Sequence, residues 1–397
     1  MVFLILRLLI PHNKSIKGVI MKQIKIFLLL LLIFLFIQSL NAKTINVAFV
    51  NGRDSIGFWK DVENFMMIVA KDFDDIKLTI YRAKSNHLKQ VRILEEITSS
   101  NYKTKYDVVL TRALRQNGIK LLDIAEKNKI PIFLFNTGLD EKQIAIAGAP
   151  RQNYKYFIGE MYPDDEQAGF DLASVLVSNY ELISTNGKIN LLALSGGPGN
   201  LASVTRVKGL KRFLKNNKDK VKLLQVLPVY KLDDHGLIGA SKKTKLALKR
   251  HKKINLIWGY NDAITIGSLN VILKDQSYVK AHGKTLFSGG IDWTKQAIEF
   301  IENDKMSYTI GGHYMDGGWS IIAVYDYLKG KDFKDSQGIV TFGTKLSTIN
   351  KKNLEGFKTL FIKNKVKEID FKSFSIYRNP NLKEYNFGLD LLLNKLK

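Results

Sequence analysis

Ile254-Asn255-Leu256-Ile257-Trp258, then Gly259-Tyr260-Asn261-Asp262, then residues 263–274, then 285–288 followed by Gly289-Gly290-Ile291-Asp292-Trp293, is the stretch on which the fold turns. A short apolar, β-branched run that stops at glycine predicts a strand, and a longer amphipathic segment after it predicts a helix. A second apolar run ending in paired glycines predicts the next strand. Such alternation is the signature of an α/β protein with a parallel sheet.

Outward from this unit the same alternation continues. Strands are predicted at 45–50, 77–82, 107–111, 131–135, 188–194, 222–229, 254–258, 285–288 and 308–310. Helices are predicted at 58–71, 88–98, 118–128, 164–179, 203–215, 241–251, 263–274 and 294–302. Four strands precede Gly148 and the rest follow Gly187, so the pattern runs through twice. Between the halves, 144–159 reads as an extended stretch. Pro163-Asp164-Asp165 then opens a helix with proline and acids where the helix dipole favours them. After Ile310 come Gly311-Gly312-His313, a helix at 316–328 and a strand-like 338–343, and the last fifty residues read as short strands and a Lys-rich helix.

The chain has 397 residues, 45% of them hydrophobic and 25% charged, which excludes a mainly disordered protein and a single small module. Its 61 Lys+Arg against 37 Asp+Glu give a net charge of +24. The lysines are spread along the chain rather than gathered, so no nucleic-acid partner is expected. With no cysteine, disulfides, thiolate metal sites and thiol catalysis are excluded.

Residues 21–42 begin Met-Lys-Gln-Ile-Lys, continue with twelve apolar residues from Ile26 to Ile37, and end at Ala42. A basic start, an apolar run and a small residue at the junction are the parts of a secretory signal peptide. The run is shorter than the roughly 20 residues that span a bilayer. Residues 1–42 are thus expected to be an upstream extension and a leader starting at Met21, cleaved after Ala42 to release a protein into the periplasm.

Ligands of open α/β sheets bind beyond the carboxyl ends of the strands. The residues there are Arg53, Phe58 and Trp59 after strand one, Arg112 and Arg115 after strand three, and Asn136-Thr137 after strand four. In the second half they are Ser195-Gly196-Gly197-Pro198-Gly199-Asn200, Asn261-Asp262, Asp292 and the lone His313. Aromatic rings with amides and carboxylates suit a sugar, whose C–H faces stack while its hydroxyls are bonded. Asp262 is equally well read as a helix N-cap, and Arg112 and Arg115, if they face the cleft, favour an anionic ligand. Enzyme signatures fail: the glycine loop lacks the Lys-Ser/Thr of a P-loop, and there is no Gly-x-Ser-x-Gly, no His-Glu-x-x-His and no paired histidine spacing. No metal, no cofactor and no catalytic residue are expected.

Gly57-Phe58-Trp59, Asn136-Thr137, Arg206-Val207-Lys208-Gly209-Leu210, Trp258-Gly259-Tyr260-Asn261-Asp262, Gly289-Gly290-Ile291-Asp292 and Thr309-Ile310-Gly311-Gly312-His313 stand in an order that resembles the type I periplasmic sugar-binding proteins, above all their ribose-binding and autoinducer-2-binding branch. The resemblance covers nearly all of 43–345. It implies two Rossmann-like lobes with parallel sheets joined by three crossovers, near 158–162, 310–313 and 340–343. The first lobe would comprise 43–158 with 313–341, the second 159–312 with 342–397. It implies ligand contacts from Phe58, Trp59, Asn261 and Asp292, to which position adds Arg112, Asn136, Thr137 and His313. The chain departs from the family pattern at Asn136-Thr137, where Asp-Arg is common, and at Gly312-His313, where a glutamine is common. A sugar-binding arginine near Ser203-Val204-Thr205-Arg206 is expected to be missing. These departures point to a modified sugar, polyol or signalling molecule. The function expected is a monomeric solute-binding protein that closes on its ligand for an ABC transporter permease. The alternatives are a receptor feeding a membrane sensor kinase and, from another class, a hydrolase on the same scaffold.

Overall fold

The computed structural model describes residues 23–28, 43–114, 117–184, 187–197, 200–230, 236–276, 279, 286–335 and 337–395. Its strands are β1 (Ile45–Asn51), β2 (Ile76–Arg82), β3 (Val108–Thr111), β4 (Ile132–Phe135), β5 (Phe157–Pro163), β6 (Ile189–Ser195), β7 (Val221–Pro228), β8 (Leu256–Gly259), β9 (Phe287–Ile291), β10 (Tyr308–Gly311), β11 (Thr341–Thr344) and β12 (Ser347–Ile349). They form two six-stranded sheets with orders β11-β5-β4-β3-β1-β2 and β12-β10-β9-β8-β6-β7. The two orders are the same permutation, so the repeat seen in the sequence is a repeat of topology. Among the described pairs, β10 with β12 is antiparallel and the others are parallel.

Why these runs become central strands follows from their composition. Val108–Thr111, Ile132–Phe135 and Leu256–Gly259 are buried at every position, as expected where helices cover both faces of a parallel sheet. Two glycines let the helices come close. A Cβ on Gly209 would lie 1.8 Å from the Glu166 carbonyl oxygen and one on Gly169 would lie 2.0 Å from the Arg206 carbonyl oxygen, so the helices Asp165–Glu181 and Leu201–Asn216 touch backbone to backbone there.

A helix and a strand in the middle of the chain went unread in the sequence. Helix Glu141–Ala147 starts before the expected extended stretch 144–159 and runs into it. Its start is locked by a capping box in which Asp140 accepts from the Gln143 N–H at 3.0 Å and Gln143 Oε1 accepts from the Asp140 N–H at 3.2 Å. The stretch then yields β5, which pairs with β4 and β11.

This pairing moves the lobe boundaries. Residues 159–163 and 342–344, assigned above to the second lobe, are strands of the first sheet. The chain changes sheets after Pro163, after Gly311 and between Thr344 and Ser347. Nor does 351–397 simply finish the second lobe. Phe357 packs on Trp293 at 5.4 Å, but farther on Phe371 meets Phe65 at 5.6 Å and Phe387 stacks on Trp319 at 4.9 Å. Trp319 lies on the helix Asp316–Leu328, which packs against the helix Phe58–Asp72. The Asp326 carboxylate accepts from the Ser375 hydroxyl, from the Ile376 N–H at 2.7 Å and from the Tyr385 hydroxyl at 2.8 Å. The tail therefore runs from the second lobe onto the first.

Candidate ligand-binding site

Each sheet reverses direction once in its strand order, between β1 and β3 and between β6 and β8. Loops leave such a reversal in opposite directions and open a crevice at the strand ends. Phe58 and Trp59 after β1, Arg112 after β3 and Asn261 after β8 sit at these two points, Asn136-Thr137 and Asp292 follow the adjoining strands β4 and β9, and His313 lies on the crossover after β10.

On the first-lobe side, β1 ends at Asn51, whose amide donates to Glu63 Oε1 at 2.8 Å and whose Oδ1 accepts from the Arg53 N–H at 2.9 Å. The turn is thereby fixed, and Phe58 and Trp59 open the next helix edge to face, 5.4 Å apart. Trp59 is buried and Phe58 half-buried. Arg112 follows β3 with its guanidinium 4.7 Å from the centre of the Trp59 ring. Its Nη2 donates to Thr137 Oγ1 at 2.8 Å, and that hydroxyl donates to Asn136 Oδ1 at 3.2 Å. Asn136 holds a left-handed φ of 65°, and its N–H donates to the Met161 carbonyl at 2.8 Å. Arg115 lies outside the described residues.

The second-lobe side centres on Arg206. Its Nε donates to Asp165 Oδ1 at 2.6 Å, and its Nη1 donates to the Tyr260 carbonyl at 2.8 Å and to Asp292 Oδ1 at 3.3 Å. His313 Nε2 lies 3.3 Å from the same Asp292 oxygen and 3.4 Å from Arg206 Nη2. Asp292 has φ 140° and Trp293 φ 57°, a backbone region that side-chain-bearing residues rarely enter and that concentrates at functional sites. The strain is held by the Asp292 N–H, which donates to the Ile310 carbonyl at 2.8 Å.

The sides meet where the Phe58 and His313 rings lie 4.6 Å apart. Phe58, Asp292 and His313 thus form one cluster, and Trp59, Arg112, Asn136 and Thr137 form a second joined to it through Phe58. Asn261 stands beside Tyr260 at the end of β8. It is the helix N-cap, its Oδ1 accepting from the Ile264 N–H at 3.0 Å, which leaves its Nδ2 to donate.

Asp262 is neither cap nor surface ligand. It is fully buried, accepting from Thr309 Oγ1 at 2.7 Å and from the Thr294 N–H and hydroxyl at 2.8 and 3.1 Å. Burial, reinforced by the nearby Asp292 charge, pushes its carboxyl up to about 7. Gly290 makes room for it, since a Cβ there would lie 2.6 Å from Asp262 Oδ1. In the glycine loop after β6, a Cβ on Gly196 would lie 2.5 Å from the Tyr260 ring, so the loop backbone lies against that ring; Pro198 and Gly199 fall outside the described residues.

Arg206, quoted above only as part of a family-like stretch, is 4% exposed at the heart of the second-lobe cluster. The signal was present, since Arg206, Leu210 and Phe213 recur at helical spacing on the buried face. Asp165 was read only as a helix-start acid and is Arg206's nearest counter-charge.

Residues 47–332 match the family described as Periplasmic binding protein domain. The chain is 20% identical over 292 residues to the D-galactose/methyl-galactoside binding periplasmic protein of Haemophilus influenzae, covering 70% of this chain and 82% of that one. A periplasmic sugar-binding protein from Pseudomonas fluorescens superimposes with a TM-score of 0.73 at 23% identity, covering 88% of this chain and 99% of the other. An ABC transporter periplasmic solute binding protein from Actinobacillus succinogenes with bound D-allose gives 0.65 at 20% identity, with 79% and 99% covered. These structural likenesses establish the fold, two parallel-sheet α/β lobes of the type I kind. With nearly three quarters of its length inside the matched region, the chain belongs to the periplasmic binding protein domain family, a family of binding proteins rather than enzymes.

Proposed function

We propose that this chain is an exported receptor that captures a small polyhydroxylated molecule, a sugar or sugar-like solute, between its lobes and presents the closed form to an ABC-type membrane permease. The observation that carries this reading is the convergence, through the Phe58–His313 contact, of groups that follow strands of both sheets. Rings from Phe58 and Trp59 offer apolar faces, Asp292 accepts hydroxyl hydrogen bonds and Asn261 Nδ2 donates one. The galactose-binding relative and the structural neighbour with bound D-allose support the solute class.

The placement supports closure. A ligand that touches both lobes binds the closed state better than the open one, and only such a difference shifts the population. Export rests on residues 21–42, with cleavage after Ala42. Among the described residues no helix is long and apolar enough to cross a membrane.

The test is a thermal-shift screen of residues 43–397 against sugars, polyols, organic acids and amino acids. A true ligand at 100 times its Kd adds about 2.7 kcal/mol of stability. Small-angle scattering of the hit complex is expected to give a smaller radius of gyration than the free protein. Stabilisation by amino acids alone would overturn the solute class, and an unchanged radius at saturation would overturn the clamp.

A further inference from the structure

Arg112 is buried at 9% exposure without the neutralisation that buried cations ordinarily have. Among the described residues its side chain donates to the Thr137 hydroxyl, its face rests on the Trp59 ring, and its buried Nε has no hydrogen-bond partner. Among the described residues no carboxylate pairs with it. A hydroxyl and a ring face lower the cost of burying the charge but do not cancel it. Burial, with the Arg53 charge adding to it, pulls the guanidinium down to about 9, so at neutral pH it is still a cation. The side chain is not needed to hold the strand end: Gln90 Nε2 already fastens it, donating to the Arg112 carbonyl and to Thr111 Oγ1 at the end of β3, each at 2.9 Å.

The Trp59 ring ties Arg112 to Phe58, and through Phe58 to His313 and Asp292. An unsatisfied guanidinium N–H at a ligand crevice calls for an acceptor that carries charge. We propose that Arg112 receives an anionic group of the solute, so that the ligand is an acidic polyhydroxylated molecule rather than a neutral sugar. This deepens the reading above and rests on it: the hydroxylated body faces Asn261 and Asp292, and the acid faces Arg112. A sugar carboxylate and a sugar phosphate share this chemistry, and matched probes separate them.

The experiment is calorimetry on residues 43–397 with galactose against galacturonate, and glucose against glucuronate and glucose 6-phosphate. At least one acid is expected to bind about tenfold or more tightly than its neutral parent. Preference for a uronate identifies the carboxylate source, and preference for the 6-phosphate the phosphate source. Arg112→Gln is expected to abolish the preference, and Arg112→Lys to keep part of it, because lysine retains the charge but not the fork. Equal or tighter binding of every neutral parent overturns the acidic-ligand inference and leaves the sugar reading standing, as does a preference that survives in Arg112→Gln. Failure of all five probes at millimolar concentration, with an amino acid or peptide binding instead, overturns both. If Arg112→Gln does not fold, the wild-type comparison of acid with parent decides alone.

Discussion

Among the described residues each half of the crevice buries an arginine, Arg112 and Arg206, and the two are held in opposite ways. Arg206, on the second-lobe side, is surrounded by Asp165, Asp292, the Tyr260 carbonyl and His313. Arg112, on the first-lobe side, has a hydroxyl and a ring face, and its Nε is unbonded. On the proposal above, the same residue type is a strut where its charge is answered within the protein and a receptor where it is not. Counting charges around a buried group separates the two roles better than burial does, since both arginines are buried.

The sharpest way to break this comparison is to remove the strut. Arg206→Met leaves Asp165 and Asp292 without their counter-charge, and loss of one partner of a buried ion pair costs about 3–5 kcal/mol. Urea unfolding of the ligand-free protein is expected to show a loss of that order. A change within experimental error would mean that Arg206 is no strut.

Next in size is Asp292→Ala. It is expected to weaken binding of a screening hit by about 1.5–3 kcal/mol, one to two decades in Kd, through lost charge-assisted hydrogen bonds. The free protein loses less, because Arg206 keeps Asp165. Normal binding in calorimetry would make Asp292 part of the strut alone.

The pH dependence of stability tests the scaffold beneath Asp292. Asp262 has its carboxyl raised from 3.8 to about 7 by burial, so between those values the folded state holds a proton that the unfolded state has lost. Its contribution therefore falls as pH rises through that window, with a slope of at most about 1.4 kcal/mol per pH unit for one proton. Asp262→Asn is expected to remove this component from melting curves recorded between those pH values. Parallel curves for the two proteins would contradict it.

The smallest effect expected is on Arg112 itself. Arg112→Met keeps the packing on Trp59 while removing an unanswered buried charge, so ligand-free stability is expected to stay within about 1 kcal/mol of wild type or to rise. A loss as large as that of Arg206→Met would erase the distinction between the two residues.

How far the sequence carried this reading differs between the lobes and the site. Alternating apolar runs and amphipathic segments placed the repeated α/β pattern because burial on both faces writes itself into contiguous residues such as Ile132–Phe135. Residues following the strands could be found the same way, and Phe58, Asp292 and His313 do come together. What the sequence did not carry was pairing at a distance. Arg206 and Asp165 are 41 positions apart, and no local pattern says that one answers the other. The tail escaped for the same reason: Phe371 and Phe387 find Phe65 and Trp319 only once the helices are docked. Helix Glu141–Ala147 was hidden because its stability is local to a capping box rather than to an apolar stripe.

One measurement bears on the whole account: a crystal structure of residues 43–397 with a solute found by the screen. The account predicts density between the lobes, with a ring face against Phe58 or Trp59, hydroxyls on Asp292 and Asn261, and an acidic group within hydrogen-bond distance of Arg112 Nε. A ligand that touches one lobe only, or lies away from Arg112 and Asp292 altogether, would contradict it.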